Sequence, residues 1–142
     1  MTGVQTCALP ISILCVDDEA IILMAMKREL KAHFKERYKF ETALDAGEGL
    51  RIIDALARDG VEVVMVITDW LMPGMKGDEF LLRVRSLYPH VRSIMVTGHA
   101  DPASIERTIQ EAGAYVVLHK PWSRNELIAA IGACLGPGTA PA

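Results

Sequence analysis

The most informative stretch of the sequence is a mostly apolar run that begins at Val61 and ends at Asp69. It has no regular alternation of polar and apolar positions and is rich in β-branched residues, which predicts a strand buried on both faces. Directly after it, Pro73, Gly74 and Gly77 break the chain into a loop. Asp69 therefore ends a central strand, which is where open α/β sheets place their ligand sites. Taken alone, an aspartate that only caps a turn is the alternative.

Four further apolar runs have the composition of strands, and most of them end beside polar residues. They are residues 11–16, 40–43, 91–97 and 115–119. Between them, apolar residues recur at spacings of three and four, which predicts five amphipathic helices. The helices are expected from Ala20, from Asp45 to Gly60, from Asp78 to Leu87, from Pro102 (capped by Asp101) to about Glu111, and from Arg124 (capped by Ser123) to about Leu135.

Strands and helices therefore alternate strictly, and the connections between them are short. This order predicts parallel strands joined by right-handed crossovers. The expected fold class is α/β: a doubly wound five-stranded parallel sheet, arranged as a (βα)5 flavodoxin-like three-layer sandwich.

Composition narrows the class of protein further. The chain has 142 residues, of which 51% are hydrophobic, enough for one sizeable core. A net charge of -3 with both signs dispersed argues against a nucleic-acid surface or a basic membrane-binding face. The longest apolar runs are too short to span a bilayer. The cysteines Cys7, Cys15 and Cys134 lack metal-ligand spacing and suggest free thiols in a reducing cytoplasm.

The two ends of the chain differ from its middle. Residues 1–11 resemble a translated sequencing adapter, so we expect a non-native leader with no selected function there. One globular domain is expected over residues 12–135. Residues 136–142 are rich in Gly, Pro and Ala and predict a linker or tail. Either the domain stands alone or the gene fragment was cut before an output domain.

Polar residues follow the ends of four predicted strands. Asp17 and Asp18 follow the first, Asp69 ends the third, Thr97 ends the fourth and Lys120 follows the fifth. Because parallel strands end at one edge of the sheet, these residues are expected to converge. Separately, each has a simpler role: the acidic pair as a solvated helix N-terminus, and Thr97 and Lys120 as turn residues.

The chemistry of this set can be argued from its groups. Three carboxylates crowd together in ionised form only if a cation offsets their repulsion. Oxygen-only ligands favour Mg²⁺. A carboxylate beside Mg²⁺ can attack phosphorus and form an acyl phosphate, with Lys120 and Thr97 stabilising the transferred oxygens. No general base is needed, because a carboxylate is already nucleophilic at neutral pH.

Four motifs carry a resemblance to a known family. They are Ile13-Leu-Cys-Val-Asp-Asp-Glu19, Thr68-Asp-Trp-Leu-Met-Pro-Gly74, Val96-Thr-Gly-His99 and Lys120-Pro121. From about Ser12 to Leu135 the chain resembles a receiver domain of a two-component response regulator.

The resemblance implies a set of roles. Asp69 would accept phosphate from a phosphohistidine on a sensor histidine kinase, and Thr97 and Lys120 would contact the phosphoryl group. Mg²⁺ would be held by Asp17, Asp18, Asp69 and the backbone carbonyl of Leu71. The Lys120–Pro121 peptide bond would be cis. The domain would be a phosphorelay signalling module that catalyses its own phosphorylation and dephosphorylation, and not an enzyme acting on other substrates.

Some positions depart from the family pattern or narrow it. Trp70, Thr97-Gly98 and Lys120-Pro121-Trp122 are similar to receivers that precede HD-GYP-like output domains. The family's switch aromatic is replaced by Val117, and Tyr115 lies two residues earlier, on the same face of the strand. Switching is therefore expected to be weak or to use another route. Leu71 and His99 flank the site, where they would tune hydrolysis of the acyl phosphate.

The implied partners are a sensor histidine kinase and an output domain or downstream protein, in the cytoplasm, without direct nucleic-acid or membrane contact. A homodimer through the fourth helix, fifth strand and fifth helix is also compatible with the resemblance. Two other functions stay open. A dehalogenase-like phosphatase also forms an aspartyl phosphate, but it carries a second Asp where this chain has Leu71. A pseudo-receiver would only bind partners, which the intact Asp, Thr and Lys set argues against.

Overall fold

Five parallel strands form one sheet in the order β2-β1-β3-β4-β5 in a computed structural model that describes residues 11–98 and 101–139. The strands are β1 (Ile11–Val16), β2 (Lys39–Ala43), β3 (Glu62–Asp69), β4 (Arg92–Thr97) and β5 (Val116–His119). The predicted doubly wound parallel sheet is confirmed. β3 lies at its centre, as its unbroken apolar sequence predicted, and pairs with β1 and β4.

A helix follows each strand. The helices are α1 (Ala20–Phe34), α2 (Ala46–Arg58), α3 (Gly77–Leu87), α4 (Pro102–Glu111) and α5 (Arg124–Thr139). Four of them match the predicted segments within a residue or two. None of the described helices is both long enough and apolar enough to cross a membrane.

The sheet has a separate hydrophobic layer on each face, because successive side chains of a strand point to opposite sides. One layer joins the sheet to α1 and α5 and includes Ile13, Ile67, Leu30 and Leu127. The other joins it to α2 and α3 and includes Leu14, Val66, Ile53 and Phe80. The sheet is thus buried on both faces, and only its edges are left to carry polar chemistry.

Two helix starts are fixed by side chains that the sequence had indicated. The Asp45 carboxylate accepts a hydrogen bond from the Glu48 N–H at 2.7 Å. The Ser123 hydroxyl accepts one from the Glu126 N–H at 3.0 Å, while the Glu126 carboxylate accepts from the Ser123 N–H at 3.3 Å. This reciprocal pair is a capping box, which satisfies N–H groups that a helix start otherwise leaves unpaired.

β1 begins at Ile11, as the predicted strand over residues 11–16 does, and Ile11 pairs with Glu62 although it was also assigned to the leader. The structure differs from the expectations at two other positions. Tyr115 precedes β5 and does not belong to it. The backbone of α5 continues past Leu135 to Thr139, where the Gly- and Pro-rich sequence had predicted a linker or tail. The rest of the predicted leader and residues 140–142 lie outside the described residues.

Candidate functional site

The carboxyl ends of the strands bring the predicted site residues to one edge of the sheet. Asp17 and Asp18 follow β1, Asp69 is the last residue of β3 and Thr97 the last residue of β4. Lys120 follows β5, and its N–H donates to the Thr97 carbonyl at 2.9 Å. The Lys120–Pro121 peptide bond is cis, as the resemblance implied.

Three of these residues form an acidic cluster. One carboxylate oxygen from each of Asp17, Asp18 and Asp69 lies within 4.8 Å of the others. Asp17 and Asp69 are buried, at 3% and 7% exposure, whereas Asp18 is exposed. The cluster therefore combines two buried carboxylates with one that is exposed to solvent.

The Lys120 ammonium lies inside this cluster. Its Nζ is 2.9 Å from Asp17 Oδ2, 3.2 Å from Asp69 Oδ2 and 3.9 Å from Glu19 Oε1. Glu19 was not among the predicted site residues, although it follows the acidic pair directly in sequence. The ammonium is mostly buried and offsets part of the repulsion between Asp17 and Asp69.

Backbone amides fix the orientation of both buried carboxylates. Asp17 Oδ1 accepts from the Glu19 N–H at 2.9 Å, and Asp69 Oδ1 accepts from the Trp70 N–H at 2.8 Å. In each residue the other oxygen, Oδ2, is the one that contacts Lys120. Hydrogen bonds from fixed amides hold these side chains in one geometry, as a site that must position a reacting atom requires.

The loop from β3 to α3 turns back so tightly that only glycine fits at its end. The Gly77 N–H donates to the Trp70 carbonyl at 2.8 Å. A Cβ on Gly77 would overlap the Asp69 carbonyl oxygen and lie 2.9 Å from Trp70 Cα. The sequence marked Gly77 only as a residue that breaks the chain into a loop, because a close approach of two backbone segments depends on the path of the loop.

The remaining predicted residues lie at the end of β4, in the β3–α3 loop, and in or just before β5. Thr97 is buried, at 1% exposure, and Leu71 lies in the β3–α3 loop with its side chain 44% exposed. Val117 packs against the layer that contains Phe80, while Tyr115 is 51% exposed. His99 lies outside the described residues.

Burial has the largest effect on the pKa of the Asp69 carboxyl. It raises the pKa of this carboxyl above its ordinary value of 3.8, the positive charge of Lys120 acts in the opposite direction, and the charge of Asp17 raises the pKa further. An acid with a raised pKa favours the folded state when it is protonated, and it costs folding stability once pH has risen through the raised value. At neutral pH, ionised Asp69 therefore destabilises the domain.

Replacing Asp69 with asparagine is expected to raise the thermal midpoint of the metal-free domain by a few degrees at neutral pH, because this cost disappears. The gain should shrink as pH falls below the raised pKa, where wild-type Asp69 is protonated. Thermal unfolding in a chelating buffer across this pH range measures both effects. Asp45→Asn, which removes a carboxylate outside the cluster and keeps an N-cap, should show no such gain. Equal midpoints for wild type and Asp69→Asn at neutral pH would contradict the stated cost.

Comparison with known proteins gives the family. The model of the response regulator receiver domain matches residues 13–132, which include the acidic cluster, Thr97 and Lys120. This chain belongs to the response regulator receiver family. The predicted fold and family resemblance are thereby confirmed.

Relatives of this receiver domain are regulators of greater length. The hydrogenase transcriptional regulatory protein HoxA of Cupriavidus necator is 34% identical over 117 residues, which are 82% of this chain and 22% of HoxA. The response regulator RppA of Synechocystis is 31% identical over 121 residues, which are 85% of this chain and 49% of RppA. The chain thus spans between about a fifth and a half of these relatives.

Solved structures give the same architecture. The receiver domain of an HD domain-containing protein from Pseudomonas fluorescens superposes with a TM-score of 0.79 at 31% identity, covering 90% of this chain and 95% of that one. A response regulator receiver domain protein from Clostridium thermocellum gives a TM-score of 0.77 at 32% identity, covering 89% and 94%.

Proposed function

We propose that this receiver domain accepts a phosphoryl group on Asp69 from the phosphohistidine of a sensor histidine kinase. The observation that carries the proposal is the position of Lys120, whose ammonium lies between the oxygens of Asp17 and Asp69 at 2.9 and 3.2 Å. In this arrangement the Asp69 carboxylate can act as the nucleophile. The adjacent Lys120 ammonium can offset negative charge on the phosphoryl group that Asp69 receives.

The donor set fits Mg²⁺. All the candidate ligands are oxygens, three of them come from carboxylates within 4.8 Å of one another, and Asp18 leaves one side exposed to water. Asp17, Asp18, Asp69 and the backbone carbonyl of Leu71 would hold the ion. When bound, Mg²⁺ would neutralise charge on the oxygens of the phosphoryl group.

The transfer needs no protein base. An oxygen of the Asp69 carboxylate attacks phosphorus, the P–N bond to the kinase histidine breaks, and the imidazole leaves with the bonding electron pair and takes up a proton. The Trp70 N–H holds the carboxylate in place at 2.8 Å. Lys120 and the Thr97 hydroxyl bind oxygens of the transferred group, which makes the domain the catalyst of its own phosphorylation and, with water, of its own dephosphorylation.

The switching route and the output are part of the same proposal. Val117 has no ring to reorient, and Tyr115 is half-exposed ahead of β5, so the surface formed by α4, β5 and α5 would respond weakly or through another movement. We also propose that the protein is cytoplasmic, that it forms a homodimer through that surface, and that it acts on an output domain or a downstream partner. Resemblance to the receiver of an HD domain-containing protein supports an output of that kind.

Acetyl phosphate with Mg²⁺ tests the proposal without the kinase. We expect the mass of one phosphoryl group to be added to wild type and none to Asp69→Asn, with the modified residue located by borohydride trapping and peptide mass spectrometry. Asp45→Asn, an acidic residue outside the cluster, is the matched control and should be phosphorylated like wild type. No adduct on wild type, or an unchanged adduct on Asp69→Asn, would show that the proposal is wrong. Many turnovers of phosphate esters would favour the phosphatase instead.

A further inference from the structure

The basic residues of this chain are concentrated at the end of the domain opposite the acidic cluster. Residues 27–39 hold six of the fifteen Lys and Arg residues but only two of the eighteen Asp and Glu residues. This segment contains the last turns of α1, the α1–β2 turn and the first residue of β2, at the amino edge of the sheet. Five of its cations are exposed and together define a basic turn surface: Arg28, Lys31, Lys35, Arg37 and Lys39.

These five charges have no acidic partner among the residues that the structure describes. Two exposed arginines elsewhere do: Arg58 lies 2.8 Å from Asp54, and Arg83 lies 3.5 Å from Glu79. The domain as a whole has a net charge of -3, so this surface is a local excess of positive charge on an acidic protein. An uncompensated patch of this kind attracts groups of opposite charge.

A second observation concerns the backbone of Lys35. Its φ is 54° and its ψ is -120°, and the Arg37 N–H donates to the Phe34 carbonyl at 3.1 Å. These values describe a type II′ turn with Lys35 at its second position, where glycine is the usual residue. A residue with a Cβ is strained there. The chain thus keeps a cation at a position where the backbone alone would favour glycine.

We propose that the basic turn surface binds an acidic segment of another protein. The Phe and Tyr rings of the region, Phe34, Tyr38 and Phe40, are buried, and of the aromatic side chains in this region only His33 is exposed. The surface therefore presents no Phe, Tyr or Trp ring to stack on bases or to enter a lipid interface. The exposed carboxylate of Glu36 lies next to Lys35 in the turn and would repel a continuous array of phosphates. Spaced carboxylates on a peptide can pair with each cation and avoid Glu36.

The surface lies at the opposite edge of the sheet from Asp69, so binding there leaves the phosphoryl site accessible. Such an acidic segment would hold a partner on the domain before and after phosphoryl transfer. Binding at this surface is independent of the proposed function, because it uses none of the residues of the acidic cluster; its role around phosphoryl transfer rests on that function.

Binding of a fluorescein-labelled peptide of alternating Glu and Gly residues, followed by anisotropy, tests this surface. We expect salt-sensitive binding to wild type and an affinity about tenfold lower for Lys31→Glu/Arg37→Glu. Arg51→Glu/Arg124→Glu makes the same change in net charge at exposed positions outside the surface and should bind like wild type. If both double variants lose affinity equally, only net charge matters and the proposal is wrong. Tighter binding to duplex DNA or to phosphatidylserine vesicles than to the peptide would show that the partner is not an acidic protein segment.

Lys35→Gly separates recognition from folding. This change relieves the strained turn and removes one cation, so we expect a higher thermal midpoint together with weaker peptide binding. A destabilised or unfolded variant could not give that combination. Unchanged peptide affinity in a stabilised Lys35→Gly variant would contradict the part assigned to Lys35.

Discussion

Replacing Gly77 with alanine is expected to destabilise the domain by about 3 kcal/mol and to abolish phosphorylation of Asp69. The added methyl would overlap the Asp69 carbonyl oxygen and press on Trp70 Cα, which are both backbone atoms. Neither can move freely, because the Asp69 carbonyl also accepts the Thr68 hydroxyl at 2.9 Å and the Trp70 carbonyl accepts the Gly77 N–H. Relief of the overlap must therefore displace the end of β3 that carries Asp69, the proposed nucleophile.

Urea unfolding and the acetyl phosphate reaction measure the two effects. Gly132→Ala is the control, because Gly132 is exposed within α5 and a Cβ there meets no atom within 4 Å. That substitution should stabilise the helix by up to about 1 kcal/mol, the usual advantage of alanine over glycine. A Gly77→Ala variant with wild-type stability would mean that the loop is looser than described. A folded Gly77→Ala variant that is fully phosphorylated would show that phosphorylation of Asp69 does not depend on the geometry of this loop.

Replacing Lys120 with methionine is expected to slow phosphorylation about 100-fold, because one fixed positive charge at the transferred group is lost. The same change leaves the buried carboxylates of Asp17 and Asp69 facing each other uncompensated, at a cost of about 3 kcal/mol in metal-free buffer at neutral pH. Single-turnover phosphorylation measures the change in rate, and urea unfolding measures the change in the free energy of unfolding.

The pH dependence of this contribution has a defined sign. Burial acts to lower the pKa of Lys120, but the hydrogen bonds and charges of Asp17 and Asp69 outweigh it and raise that pKa above its ordinary value of 10.5. A cation with a raised pKa contributes its full stability below 10.5 and loses it as pH rises through the raised value. The difference between wild type and Lys120→Met should therefore narrow in strongly alkaline solution, and also in acid, where protonation of Asp69 removes the repulsion that Lys120 offsets.

Lys76→Met is the matched control for this substitution. Lys76 is exposed in the β3–α3 loop, where its ammonium lies 5.6 Å from the centre of the Trp70 ring and outside the acidic cluster. Its loss should cost at most about 1 kcal/mol and leave the phosphorylation rate within a few-fold of wild type. If Lys76→Met slowed phosphorylation and lowered stability as much as Lys120→Met, the loss of any positive charge near the loop would explain the effect.

Adding Asp69→Asn to Lys120→Met should restore part of the lost stability, because one of the two uncompensated carboxylates is then removed.

The fold was predictable because each of its elements has a strong local signal. The apolar run that forms β3 has no polar alternation, and the helices repeat apolar residues at their own period. The convergence of Asp17, Asp69 and Lys120 followed from one geometric rule, that parallel strands end at the same edge of a sheet. Local pattern and simple topology were sufficient for these features.

Features that depend on the exact path of the chain were not predictable. The contact between Gly77 and the Asp69 carbonyl requires the loop coordinates, and the approach of Glu19 to Lys120 requires those of a second loop. The continuation of α5 went against strong Gly and Pro signals. Charge that was judged to be dispersed along the chain turned out to be locally concentrated, because a whole-chain sum conceals the surplus in residues 27–39.

The position of Lys120 between two buried aspartates also means that the domain carries its own counter-ion. If Mg²⁺ binds at this cluster as proposed, it would share Asp17 and Asp69 with an ammonium that is covalently attached. Lys120 would then offset the charge of Asp17 and Asp69 during folding without Mg²⁺, and Mg²⁺ would bind and dissociate without unfolding the domain. The supply of magnesium would then limit the rate of signalling and not the amount of folded protein.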